Sequence, residues 1–343
     1  MVERTHLALA GTLAFAAGAA AQPAAWIHPR PVQDRTPVAR CCAAAAYDSD
    51  RERMVVFSGT TNPFPRPDDT WEWDGRRWHL RESPTRPQGR EGAAMAYDPV
   101  RRRIVLFGGN AGSRERNDVW EWDGDDWSDR TPAAGPMPNL SGSPGLAYYP
   151  PRQRVVAFGG RVGISSWHDQ MWEWDGAAWT RLLPANTPGP RDAMGFAYDP
   201  LRDRLVLFGG RNGATLFADT WEYDGVDWVP RGVAGGPVAR WGHSMVWDSA
   251  RGRIVLFGGE AAGGPLGDIW EWDGVRWARV PASGGPSPRR LVAMAHDIAR
   301  GRTVLFGGTT NGHVNAQLWE LATPSAWHHW IAPSWDRVRR WAR

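Results

Sequence analysis

The sequence predicts an all-β fold, a six-bladed β-propeller of four-stranded antiparallel blades. Three observations carry this: a repeat of about 50 residues, tryptophan markers that keep the same beat, and strand-length apolar runs separated by turn signals. Short apolar runs end in a glycine pair at Gly108-Gly109, Gly159-Gly160, Gly209-Gly210, Gly258-Gly259 and Gly307-Gly308, with Ser58-Gly59 at the head of the series. The first Trp of a Trp-Glu-Trp-Asp-Gly motif follows at Trp71, Trp120, Trp172, Trp221, Trp270 and Trp319. A further Trp stands seven residues on in the first five units, at Trp78, Trp127, Trp179, Trp228 and Trp277.

Within a unit the elements follow in order, taking the second as the example. Gly92 to Tyr97 reads as strand A, Arg103 to Phe107 as B, Val119 to Asp123 as C and Trp127 to Arg130 as D. Tyr97-Asp98-Pro99 turns A into B, and Asp123-Gly124, which tolerates positive φ, turns C into D. Strands joined this tightly are antiparallel, and a lone meander buries only one face, so six must pack radially. Closure of the ring needs one blade to borrow a strand. Ala25-Trp26-Ile27-His28 has the spacing of a D strand and is expected to complete blade 6, with Trp327 as the competitor.

Flanking segments read differently. Arg4, the uncharged Leu7 to Ala20 stretch and the small residues Ala19-Ala20-Ala21 before Gln22 predict a signal peptide over 1–21, hence a secreted or periplasmic protein. The apolar run is too short to span a bilayer, so no membrane span is expected after cleavage. The propeller is assigned to 22–333. Residues 334–343 are read as a C-terminal tail or short helix. The two cysteines, Cys41 and Cys42, are adjacent and cannot staple distant parts of the fold; two small buried thiols are expected rather than a strained vicinal disulfide. All forty basic residues are Arg, and the net charge of +3 is small and interspersed, which argues against nucleic acid.

The apolar run closed by a glycine pair, followed at fixed spacing by an aromatic and a Trp, resembles the kelch repeat over about residues 38 to 321. The resemblance implies a propeller scaffold whose loops carry function. Three units depart from the pattern: Ser58 replaces the first Gly of unit 1, Tyr149 the turn Asp of unit 3, and Leu321-Ala322 the Asp-Gly of unit 6. Kelch propellers include galactose oxidase, whose copper site needs a Tyr cross-linked to Cys together with two His and another Tyr. Cys41 and Cys42 bring no such partners, and that activity is not carried over. Nor does the sequence contain a His-x-x-x-His pair, a calcium loop, a phosphate-binding Gly loop or a nucleophile elbow, so no metal or cofactor is expected.

Two periodic sets read as scaffold. Trp71 and Trp73 share one face of their strand and pack between blades, while Glu72, Glu121, Glu173, Glu222, Glu271 and Glu320 are expected to bridge Arg53, Arg103, Arg154, Arg204, Arg253 and Arg302 on strand B. Function is placed on the face of the longer B–C and D–A loops. There Arg40, Arg90, Arg191, Arg240 and Arg289, with Ser141 in the sixth place, begin strand A and are candidates to line a channel rim that binds an anionic small molecule, together with His243. The competing reading pairs them, between blades, with Asp69, Asp118, Asp219 and Asp268, which begin strand C. Non-repeated loop residues, Phe64, Trp167, His168, Phe217 and His313, are candidates for loop-face binding, with Trp241 near the rim. The function expected is non-enzymatic binding or scaffolding of a glycan, peptide or protein partner. The alternative is a sugar-modifying enzyme similar to the sialic-acid mutarotases, with His243, His168 and Glu260 as acid–base candidates.

Overall fold

A computed structural model describes residues 23–32, 35–62, 65–112, 114–139 and 141–323. The leader at 1–21, Phe64, Trp327 and the tail at 334–343 lie outside the described residues. Six four-stranded antiparallel sheets form a ring. The A strands are Ala44–Asp48, Ala94–Asp98, Gly145–Tyr149, Gly195–Asp199, Ser244–Asp248 and Ala293–Asp297. Each pairs with its B strand, Arg53–Phe57, Arg103–Phe107, Arg154–Phe158, Arg204–Phe208, Arg253–Phe257 or Arg302–Phe306. The C strands are Thr70–Trp73, Val119–Trp122, Met171–Trp174, Thr220–Tyr223, Ile269–Trp272 and Leu318–Ala322. Blades 1 to 5 end on Trp78–Arg81, Trp127–Asp129, Trp179–Leu182, Trp228–Arg231 and Trp277–Arg279.

In blade 6 the outer strand is Ala25–Ile27, paired antiparallel with strand C in the register Ala25↔Ala322, Trp26↔Leu321, Ile27↔Glu320. This accounts for the missing Asp-Gly at Leu321-Ala322: blade 6 has no C–D hairpin to turn. Trp26 occupies the place of the D-strand tryptophan, edge-on to Phe257 at 5.5 Å and to Trp319 at 6.3 Å.

The core lies between blades, and strand alternation divides it. Met54 and Val56 pack with Trp71, Trp73 and Trp78 against Val304 and Phe306 of blade 6, whereas Val55 and Phe57 face Ile104, Leu106 and Trp122 of blade 2. The same arrangement fills the other four interfaces. Backbone bonds stitch the blades as well. The N–H of the second residue of each glycine pair donates to the carbonyl of the next blade: Gly59 to Arg90, Gly109 to Ser141, Gly160 to Arg191, Gly210 to Arg240, Gly259 to Arg289 and Gly308 to Arg40, at 2.5 to 3.0 Å. Gly59 sits at φ +105°, and a Cβ there would lie 2.6 Å from the Cys41 carbonyl oxygen, so the close approach itself excludes a side chain. Ser58 adopts φ 56° in place of glycine, and its hydroxyl compensates by donating to the Arg90 carbonyl at 2.8 Å.

The repeated glutamates are register posts, but their partners differ from expectation. Arg53 and its equivalents turn outward, and the glutamates pair with arginines two residues upstream, Arg51, Arg101, Arg152, Arg202, Arg251 and Arg300. The turn geometry explains the shift. In blade 1, Asp48 Oδ1 accepts the turn N–H groups of Asp50 and Arg51, and its other oxygen takes Arg51 Nε at 2.9 Å, which aims the guanidinium at Glu72, 2.5 Å away. The glutamates also reach across blades: Trp122, Trp174, Trp272 and Trp73 donate their indole N–H to Glu72, Glu121, Glu222 and Glu320. In blade 3, where Tyr149 replaces the turn Asp, Arg152 holds Glu173 with two bonds of 2.6 and 2.8 Å. Tyr149 instead stands edge-on to Tyr223, the residue that replaces the second motif Trp in blade 4.

Candidate functional site

The five arginines that begin strand A are not open to solvent. Arg40, Arg90, Arg191, Arg240 and Arg289 are each at most 1% exposed. The first four fork onto the aspartate that precedes strand C of their own blade: Arg40 to Asp69, Arg90 to Asp118, Arg191 to Asp219 and Arg240 to Asp268, with bonds of 2.5 to 3.0 Å. Each also donates to the first carbonyl of a glycine pair or its equivalent, as Arg240 does to Gly258 at 2.9 Å. Burial raises the Asp118 and Asp268 carboxyls, but the guanidinium bonds and charge outweigh it and hold both below the ordinary value. Arg289 donates to Gln317 at 2.6 Å and to the Gly307 carbonyl at 3.1 Å. In blade 3 neither charge occurs: Ser141 stands for the arginine, and Gln170, which accepts the Trp172 indole N–H as the aspartates do, stands for the acid. The channel-rim role expected for these arginines gives way to a structural one, since their donors are turned into the base of the B–C loops.

His243 is also enclosed. Its Nε2 accepts the backbone N–H of Gly195 at 3.0 Å, so the ring is neutral with its proton on Nδ1. Burial, with Arg240 adding repulsion, lowers its pKa to about 3. A histidine whose folded pKa is depressed stabilises fully above its unfolded value near 6.5 and progressively less as pH falls toward the folded one. Stability is therefore expected to drop as pH falls from 6.5 to about 3. His243→Met, which installs the residue blade 4 carries at Met194, should flatten that slope in thermal melts across pH. An unchanged slope would assign the acid sensitivity elsewhere.

Of the remaining loop candidates, Trp167 joins the residues around the axis through Asp192, and the others lie apart from it. Trp167 donates its indole N–H to Asp192 at 3.2 Å, and His168 lies 3.3 Å from the Ser166 hydroxyl. Phe217 is packed under Arg191, whose guanidinium carbon sits 4.1 Å above its ring. His313, itself exposed, pairs with Thr310 in a two-stranded hairpin.

Sequence reasoning missed most of the set that gathers around the axis. Immediately after each buried arginine or its equivalent comes a residue that pairs, backbone to backbone, with the one after the glycine pair of the same blade: Cys41 with Thr60, Glu91 with Asn110, Gly142 with Arg161, Asp192 with Arg211, Trp241 with Glu260, Arg290 with Thr309. The backbone repeats in all six blades and the side chains do not. From blade 3 to blade 6 they form a continuous arc. Asp192, fully buried, lies 3.0 Å from Arg161 of the preceding blade and 3.1 Å from its own Arg211. The Arg211 guanidinium carbon stacks 3.7 Å above Trp241 of blade 5, and that of Arg290 of blade 6 lies 4.7 Å from the same ring. Arg290 also pairs with Glu260. Arg161, Arg211 and Arg290 keep side-chain exposures of 27% each, in contrast to the buried repeat arginines. On the opposite side, Glu91 takes Arg66 at 2.7 Å and the Thr60 hydroxyl at 2.5 Å. The sequence does carry a signal: the position after the repeated arginine or Ser141 holds a different residue in each of the six units.

Below this arc runs a second closed ring of backbone bonds. Gly92 N–H donates to Cys42 O, Ser143 to Gly92, Ala193 to Ser143, Gly242 to Ala193, Leu291 to Gly242 and Cys42 to Leu291, at 2.7 to 3.0 Å. All six residues have φ between 49° and 65°, although only two are glycine, so the ring recovers in hydrogen bonds what the left-handed backbone costs. These residues and those that follow them line an axial cavity of about 170 Å³, walled by Ala43, Ala93, Pro144, Met194, His243 and Val292. That is below the roughly 300–1,000 Å³ of ordinary small-molecule sites. Among the described residues no cluster of three or more His, Cys, Asp or Glu is placed to hold a metal ion.

Fold and mouth together define a six-bladed β-propeller with side-chain diversity concentrated around one axial opening. Neither a family model nor a curated protein matches the sequence.

Proposed function

We propose that this chain is an exported, kelch-type, non-enzymatic binding module that recognises an acidic glycan through the B–C and D–A loop face. The observation that carries the reading is the arc of Arg161, Arg211, Trp241 and Arg290, where three partly exposed guanidiniums meet two carboxylates around an aromatic ring. Carboxylate-bearing sugars need forked cationic donors, and the arc gathers three of them in one mouth, two held against the Trp241 ring. The leader-like N-terminus supports export, and the glycine-pair and tryptophan repeat supports kelch type. Against the mutarotase-like alternative, His243 is neutral, with its Nε2 taken by the Gly195 N–H, Glu260 is paired with Arg290, and the axial cavity is small.

A glycan array screened with residues 22–343 tests the proposal. Uronate-bearing glycans should be retained, less so at high salt. Arg211→Ala and Arg290→Ala should each weaken retention by roughly ten- to a hundredfold, the loss expected for one hydrogen bond to a charged group. Retention of neutral glycans alone would refute the acidic class. Retention of acidic peptides but no glycan would make the module a protein receptor.

A further inference from the structure

Cys41 and Cys42 are the two cysteines of the sequence, and the binding arc does not use them. Cys42 belongs to the closed backbone ring, holds φ 61°, and lines the axial cavity; Cys41 occupies the aperiodic column of the mouth in blade 1. The fold therefore fixes both backbones, and it leaves the sulfurs 3.0 Å apart as free thiols. We infer that this pair is a preformed dithiol site for a trivalent arsenical, entered from the mouth of the propeller.

Geometry selects the ligand class. A linear two-coordinate soft ion needs its sulfurs on opposite sides, which adjacent residues on a pinned backbone do not supply. A pyramidal trivalent arsenic centre holds two sulfurs near a right angle, close together on one side. Among the described residues no third His, Cys, Asp or Glu joins the thiols in a metal-binding cluster, so a tetrahedral ion lacks its remaining ligands. The capture step balances without an oxidant. An arsenoxide R–As=O meets two thiols, both S–H bonds break, two As–S bonds form, and the oxygen leaves as water carrying the two thiol protons. Arsenic remains trivalent throughout. The two thiols are also unlike: the Cys42 hydrogen bond lowers the Cys41 thiol, the same bond and then burial raise Cys42, and at both Glu91 opposes Arg290.

The probe is phenylarsine oxide, added to pre-reduced, folded protein and read by native mass spectrometry. One phenylarsenic group per chain is expected, gained with loss of one water. It should resist washing with excess monothiol and leave on addition of a dithiol. In Cys41→Ser and Cys42→Ser the adduct should be released by monothiol roughly a hundredfold faster, the margin that a second tethered contact gives. Should the wild-type adduct wash off with monothiol, or the reagent enter only urea-unfolded chain, the site is sealed or misaligned and the inference fails. The wild-type wash decides the matter even if a serine variant does not fold.

Discussion

Arg240→Ser is expected to destabilise the protein by about 3 kcal/mol, the lower end of the range for removing one partner of a buried ion pair. For a chain of this size that is a fall in melting temperature of roughly 5–10 °C. The substitution strips Asp268 of both guanidinium bonds and leaves the Val238 and Gly258 carbonyls without the donors that reach them. The molecule contains its own control. Blade 3 builds the same junction from Ser141 and Gln170, with no charge on either side, and its backbone bonds to blades 2 and 4 remain in place. Adding Asp268→Gln to Arg240→Ser should therefore restore at least half of the lost stability, because the neutral amide still accepts the Trp270 indole N–H that Asp268 accepts at 2.7 Å. If single and double variants melt alike, the unpaired carboxylate is not the source of the loss.

Deleting residues 1–28 should lower the melting temperature by roughly 10 °C or more, since loss of a large packed aromatic alone costs about 3–5 kcal/mol. The deletion removes the three strand residues paired with Leu318–Ala322. It removes Trp26 from between Phe257 and Trp319, and His28, which stacks on Trp319 at 4.7 Å and bonds the Leu318 carbonyl at 2.7 Å. It also opens strand C of blade 6 as an unpaired edge, so the truncated protein should self-associate on light scattering. A melting temperature within about 2 °C of wild type, with no association, would mean that another segment closes blade 6.

The scaffold could be read from the sequence because six blades ask the backbone for the same thing six times. The glycine pairs answer a close approach to the next blade, and the Asp-Gly hairpins answer positive φ; each such demand leaves its residue in at least five of the six units. Even the exceptions make sense once the partners are known. Leu321-Ala322 needs no hairpin because Ala25–Ile27 arrives from elsewhere, and Ser141 lacks an arginine where Gln170 lacks a charge. Side-chain destinations were harder to foresee. Periodicity puts Arg40 and Arg53 at known strand positions but does not say which turns inward. The turn geometry around Asp48 sends Arg51, not Arg53, to Glu72, and the Asp69 carboxylate draws Arg40 into the base of the loop. The mouth was hidden for the opposite reason. Asp192, Arg211 and Arg290 leave no periodic trace, and only the packing of successive blades brings residues from four of them into contact.

The arginines fall into a repeated, buried set that holds blades and an unrepeated, partly exposed set at the mouth, and thermal melting of Arg211→Ala beside Arg240→Ser tests that division most directly. Asp192 keeps Arg161 when Arg211 is removed, so Arg211→Ala should melt within about 2 °C of wild type while Arg240→Ser falls several degrees. Equal losses in the two variants would make the mouth part of the scaffold and remove the ground for a binding role there.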